Sequence, residues 1–204
     1  MSFLREGYGQ VEPNQLSAQK TGQIYASLPL DKAVNVLQNG EFMYYDYKTG
    51  TVTADATIGE PMLVFNEIKL YEPYWQTSYK DFAMIRVGDN YVTSRRATET
   101  YGDGAENTGA AITGHTEYGY RMDGIAPRLL KTNIGDIYTT NMVKQLTDEA
   151  VYAVGDLLKP VKNAESKTLV LEKVSTAGTG MVWQVAKVYT MPDGQPGLKI
   201  QRVQ

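Results

Sequence analysis

Most apolar residues of this chain come in short runs, many of them cut off by glycine, proline, Asn-Gly or Gly-Asp. Such punctuation confines the fold to short strands joined by tight turns. Ala33-Val34-Asn35-Val36-Leu37 and Glu41-Phe42-Met43-Tyr44-Tyr45-Asp46-Tyr47 flank Gln38-Asn39-Gly40. Asn and Gly both tolerate positive φ, so this spacing predicts a type I′ hairpin. Lys48-Thr49-Gly50 predicts a second turn into Thr51-Val52-Thr53, and Gly59-Glu60-Pro61 leads into Met62-Leu63-Val64-Phe65. A meander is expected, and Phe82 to Val87 returns to strand-like composition.

The last third reads the same way. Met181 to Tyr189 suggests a strand, Leu198 to Val203 alternates apolar and polar residues, and Pro192 to Gly197 joins them as a hairpin loop. Val87-Gly88-Asp89, Ile134-Gly135-Asp136 and Val154-Gly155-Asp156 each place a β-branched residue before Gly-Asp, a pattern that suits a tight turn entering a strand. Their spacing is irregular, so no repeat is read from them. Met142, Val143, Leu146, Ala150, Val151 and Val154 fall at helical spacing, with Asn141 as a cap and Gly155 as a stop. Against that helix, the Val and Tyr content of Ala150 to Val154, after a turn at Thr147-Asp148-Glu149, favours a strand. The expected fold class is all-β, an antiparallel barrel or sandwich.

Two segments escape this pattern. Residues 1–22 mix Gly7, Gly9 and Pro13 with polar side chains and show neither strand nor helical periodicity, which predicts an extended N-terminal arm ahead of a β-rich body over 23–204. Between Gly102 and Gly124 lie six glycines, at 102, 104, 109, 114, 119 and 124. This predicts a long loop, functional or a divider of the body near 102–127.

Composition narrows the chemistry. With no cysteine and only His115, most metal sites, thiol chemistry and histidine-dependent triads lack their parts. A net charge of −3 and a pI near 5.3 argue against a nucleic-acid binder that works by counterion release. Nothing resembles a signal peptide or a membrane span. Glu99, Asp103, Glu106, Asn107 and Glu117 could supply oxygen ligands or an acid pair, but the order of an EF-hand loop is missing. Gly102-Asp103-Gly104 lacks the closing glycine of a phosphate loop. No enzyme activity, cofactor or metal is expected.

Fifteen tyrosines against four phenylalanines point instead to contact, because a large ring with a polar tip suits surfaces that another chain covers. Strand alternation turns Tyr45 and Tyr47 to one face and Tyr44 to the other. Tyr71, Tyr74, Trp75 and Tyr79 crowd a segment that Pro73 bars from a central strand. Together with Tyr8 of the arm, these are the candidate partner-contact residues.

The chain resembles the capsid-associated structural proteins of tailed bacteriophages, the decoration or cement class. The resemblance rests on the polar arm of 1–22, on the strands entered at Ile134-Gly135-Asp136-Ile137-Tyr138 and Val154-Gly155-Asp156-Leu157-Leu158-Lys159-Pro160, and on the ending Val182 to Val203. It covers mainly the C-terminal third and the arm. It implies a β-tulip-like body, an arm laid across neighbouring capsomers, and assembly, often as a trimer, on a lattice of the major capsid protein, without catalysis. The chain would then be made in the host cytoplasm and reside in the virion. The shell protein itself is not implied, since that fold needs a long spine helix. The other reading open at this point is a glycan- or receptor-binding β module of a virion or cell surface, with the aromatic side chains stacked on sugar rings.

Overall fold

Along Pro196–Arg202 the side chains alternate as a half-buried strand requires: Leu198, Ile200 and Arg202 are buried, while Lys199 and Gln201 are partly exposed. Trp183 and Val185 do the same on the neighbouring strand, about the half-buried Gln184, whereas Tyr138, Thr139 and Thr140 are all buried on the strand at the other side. The computed structural model describes residues 9–34, 36–55, 59–66, 69–71, 79–81, 84–86, 126–144, 152–192 and 194–204, with backbone alone for 69–71, 79–81 and 84–86. Its elements in chain order are β1 (Val11–Gln15), α1 (Ser17–Thr21), β2 (Ile24–Tyr25), β3 (Val36–Gln38), β4 (Phe42–Asp46), β5 (Thr51–Thr53), β6 (Met62–Val64) and β7 (Lys69–Tyr71). They continue with β8 (Tyr79–Asp81), β9 (Met84–Arg86), β10 (Leu129–Leu130), β11 (Ile137–Thr140), β12 (Leu157–Lys162), β13 (Leu169–Val174), β14 (Trp183–Thr190) and β15 (Pro196–Arg202).

The all-β class is as expected. Eleven strands form one antiparallel sheet, in the order β1-β11-β15-β14-β12-β13-β4-β6-β10-β2 with β5 beside β4, and the sheet curls into a half-barrel. Phe42, Trp183 and Tyr138 form the aromatic centre of its core, with ring centroids 5.9 Å and 5.0 Å apart along that chain of contacts. Leu63, Leu129, Leu158, Leu171 and Ile200 pack in the same cluster, all essentially without exposure.

The two edge strands, β1 and β2, are neighbours in sequence, joined by α1. Leu16 and Ala18 sink into the core between them. Residues 9–22 are therefore not an extended arm: they form a strand and a helical turn on the body itself, which corrects the expectation for that part of 1–22, and residues 1–8 lie outside the described residues. The segment hid its strand because β1 pairs on one side only, with β11, and its Pro13, Asn14 and Gln15 are exposed. An edge strand carrying proline and a register shift has little apolar pattern to read.

The hairpin expected at Asn39-Gly40 is absent. β3 pairs with β9, and β4 pairs with β5, β6 and β13. The four residues from Gln38 to Glu41 do turn, closed by Glu41 N–H donating to Gln38 O. Among them only Gly40 has positive φ, at 92°, so the turn follows the type II pattern and does not return the chain beside itself. Asn39 faces residue 66 instead: its Oδ1 accepts from Asn66 N at 2.7 Å. Glu41 accepts from Gln38 N and from Thr168 Oγ1, each at 2.8 Å, tying this corner to the start of β13. The Lys48-Thr49-Gly50 turn into β5 is present, braced by Asp46, which accepts from Lys48 N at 2.8 Å and Thr49 Oγ1 at 3.0 Å.

Two Gly-Asp turns share one hydrogen-bond pattern. In each, Asp N–H donates to the carbonyl three residues back, and that residue's N–H donates to the Asp carboxylate, at 2.9 Å for Asn133 to Asp136 and 2.8 Å for Ala153 to Asp156. In each, Gly at φ 94° donates to a neighbouring strand, Gly135 to Arg202 O and Gly155 to Val185 O, and that residue's N–H returns to the Asp carbonyl. Gln15, Ile137, Gln201, Gln184, Leu157 and Val174 then lie in one row of Cα partners across six strands. About the paired Gln184 and Gln201, β11 beside β15 mirrors β12 beside β14 with reversed direction. The two turns are thus a structural repeat, which the sequence spacing conceals; Val87-Gly88-Asp89 lies outside the described residues. The strand favoured at Ala150 to Val154 is not formed over 152–154, which are irregular or in this turn, and 145–151 lie outside the described residues.

Candidate contact surface

β4 leaves the core gradually. Phe42 and Met43 are fully buried, Tyr44 and Tyr45 half-buried against the core, and Tyr47, in the turn that follows, is 75% exposed. The rings of Tyr45 and Tyr47 meet at 5.2 Å between centroids with an interplanar angle of 73°, so the two share a face. Tyr44 sits opposite Thr53 in the register.

The structure adds a third ring. Tyr25 of β2 packs on Tyr45 at 5.2 Å and 52°. Tyr45 is further held by its hydroxyl, which accepts from Ser27 N at 3.2 Å and shares a 2.6 Å hydrogen bond with Ser27 Oγ. Tyr25, Tyr45 and Tyr47 make a continuous ridge, buttressed at its inner end and open at Tyr47. Tyr25 was legible only as part of Gly22-Gln23-Ile24-Tyr25, where a glycine precedes two β-favouring residues; its meeting with Tyr45 depends on the curl of the sheet.

Of the other candidates, Tyr71 and Tyr79 are Cα partners in the β7–β8 pair, and their side chains lie outside the description. Tyr8, Tyr74 and Trp75 lie outside the described residues, as do His115, Glu99, Asp103, Glu106, Asn107 and Glu117. Among the described residues no three His, Cys, Asp or Glu side chains gather as a metal site would require, and no helix is long and apolar enough to cross a membrane.

The perturbed ionisable groups serve the scaffold. Burial, then the charges of Glu172 and Asp156, push the Tyr152 hydroxyl up to about 12, and it donates to Lys144 O at 2.7 Å. Burial alone raises Tyr138. Partial burial pushes the Asp156 carboxyl upward, but the Ala153 N–H and Lys173, 2.6 Å away, outweigh it and leave the group below its usual value. An open cavity of about 380 Å³ lies against β12 and β13, lined among others by Lys144, Val161, Lys162 and Glu172. Its lysines already have carboxylate partners, Lys144 with Glu172 at 2.7 Å and Lys162 with Asp55, which leaves little attraction for an added anion.

No protein-family model, no curated protein and no solved structure matches this chain.

Proposed function

We propose that the chain is a structural protein of a tailed-phage virion that binds and stabilises the capsid lattice through the Tyr25–Tyr45–Tyr47 ridge, a contact role and not a catalytic one. The observation that supports this reading is the placement of Tyr47: a large ring open to solvent and packed edge-on against Tyr45. A preorganised aromatic anchor loses little side-chain freedom on binding, and such anchors dominate protein interfaces. The partners are then the major capsid protein and copies of this chain, in the trimeric grouping that the resemblance implies.

The glycan reading fits the ridge less well. Its rings meet at 52° and 73°, so they do not form one flat platform on which a sugar could stack across neighbouring rings. Co-sedimentation of the full chain with shells of the major capsid protein tests the proposal, with a glycan array as the second arm. Binding to shells supports the lattice role. Binding to sugars with none to shells overturns it.

A further inference from the structure

Both free edges of the main sheet are closed by one continuous stretch of chain. β1 covers the edge of β11, β2 covers the edge of β10, and α1 spans between them. Detaching residues 9–25 would bare both edges at once, and a bare edge recruits another strand.

The strap is anchored in the core by Leu16 and Ala18, with Val11, Ile24 and Tyr25 packed against it, and the rest of it is short or lies at the surface. Three of the five β1 residues are exposed, β2 has two residues, and α1 has five with only Ala18 fully buried. α1 has no side-chain cap of its own. Its first N–H is satisfied from the body, where Asp136 Oδ1 accepts from Ser17 N at 3.0 Å and Oδ2 from Ser17 Oγ at 2.9 Å. Other ties have the same character: Asn133 Nδ2 donates to Ser17 Oγ, Lys131 N to Gln23 O, Thr140 Oγ1 to Gln10 O and Thr139 Oγ1 to Asn14, while Gln38 accepts from Gly9 N and Asn141 from Gln10 N. Every one of these groups on the body is present, in the same geometry, on a second copy of this chain.

We infer that residues 9–25 are an exchangeable strap, which leaves its own body and closes the same two edges of a second copy, with the connection at residues 26–29 as the hinge. Reciprocal exchange restores each strap contact, so the two arrangements differ mainly in the hinge and in the entropy of association. Ser27 in that hinge is exposed and bonded to Tyr45. The exchange has a consequence for the tyrosine ridge, and this part rests on the reading of the ridge as a contact surface. Tyr25 travels with β2, so in the exchanged form one copy supplies Tyr25 and the other Tyr45 and Tyr47. The ridge is then built between two chains.

The chain has no cysteine, so introduced thiols report cleanly. Gln15 and Ile137 are Cα partners in the β1–β11 pair, exposed and half-buried respectively. Single variants Gln15→Cys and Ile137→Cys are mixed at high concentration, incubated below the unfolding transition and oxidised, and the products are mapped by mass spectrometry. A disulfide-linked dimer joining residue 15 of one chain to residue 137 of the other is expected, increasing with concentration. The double variant Gln15→Cys/Ile137→Cys should give the same link within one chain when dilute and between chains when concentrated. Lys187→Cys/Lys199→Cys, opposite each other in the β14–β15 hairpin, should link within one chain throughout. If the double variant closes within one chain at every concentration and the mixed singles never join 15 to 137, the exchange is refuted. The readout is independent of shell binding, so a failure here leaves the lattice proposal standing, and a failure of shell binding leaves the exchange standing.

Discussion

Asp136 holds a turn and a helix together, and replacing it with alanine separates its role from that of Asp156. The Asp136 carboxylate accepts from Asn133 N at 2.9 Å, Ser17 N at 3.0 Å and Ser17 Oγ at 2.9 Å, and the residue is 4% exposed. A hydrogen bond to a charged group contributes about 1.5–3 kcal/mol net, but Asn133 is exposed and water recovers part of that loss, so Asp136→Ala should cost about 2–4 kcal/mol. For a domain of this size that is a fall in Tm of about 5–15 °C. Asp156→Ala loses the Ala153 N–H bond and a half-exposed pair with Lys173, about 1–2 kcal/mol. Differential scanning calorimetry gives the two costs, and hydrogen exchange locates them. Amides of α1 should exchange faster in Asp136→Ala and unchanged in Asp156→Ala. Equal costs, with α1 protection intact in both variants, would refute the view that Asp136 caps the helix from the body.

Three more outcomes follow from the same contacts. A Cβ on Gly40 would lie 2.6 Å from Met142 Cβ at a φ of 92°, so Gly40→Ala should cost about 2–5 kcal/mol from strain and overpacking. Gly135→Ala, with nothing within 4 Å, should cost only about 1–2 kcal/mol of backbone strain, and urea midpoints compare the two. The Asp156 carboxyl titrates lower in the folded chain than in the unfolded one, so its stabilisation is present above the ordinary carboxylate value and is lost as pH falls through the folded value. Asp156→Asn should flatten the acid limb of a stability–pH curve below about pH 4, and an unchanged limb would contradict the assignment. Tyr152 titrates higher when folded, so its neutral form stabilises the fold below about pH 10 and that contribution is lost as pH rises towards about 12. Ultraviolet titration should find at least two hydroxyls, those of Tyr152 and Tyr138, that ionise only as the chain unfolds.

Local pattern carried the β class, the Lys48-Thr49-Gly50 turn, the β14–β15 hairpin and the Gly-Asp turns, because each is decided by residues adjacent in sequence. Asn39-Gly40 shows where that ends. Its turn is local, but the partner of each flanking strand was decided by Asn66 and Thr168, which lie 27 and 127 residues from Asn39 and Glu41. The strap was misread for a related reason: Val11 to Gln15 is a strand only because β11 offers it an edge, and α1 is too short to show a period. Alternation placed Tyr45 and Tyr47 on one face. Tyr25 joined them through the curl of a sheet whose strand order is not written locally.

Tyr47 is the open end of the ridge, and the proposed lattice contact depends on it. Equilibrium titration of fluorescently labelled protein against shells of the major capsid protein tests it most directly, comparing the unaltered chain with Tyr47→Ala and with Val161→Ala, an exposed apolar residue on a different strand. Loss of one aromatic anchor should weaken binding about tenfold or more, equivalent to about 1.4 kcal/mol, with Val161→Ala unchanged and both variants melting within about 1 kcal/mol of the parent. Equal affinity of Tyr47→Ala and the unaltered chain would contradict the central claim.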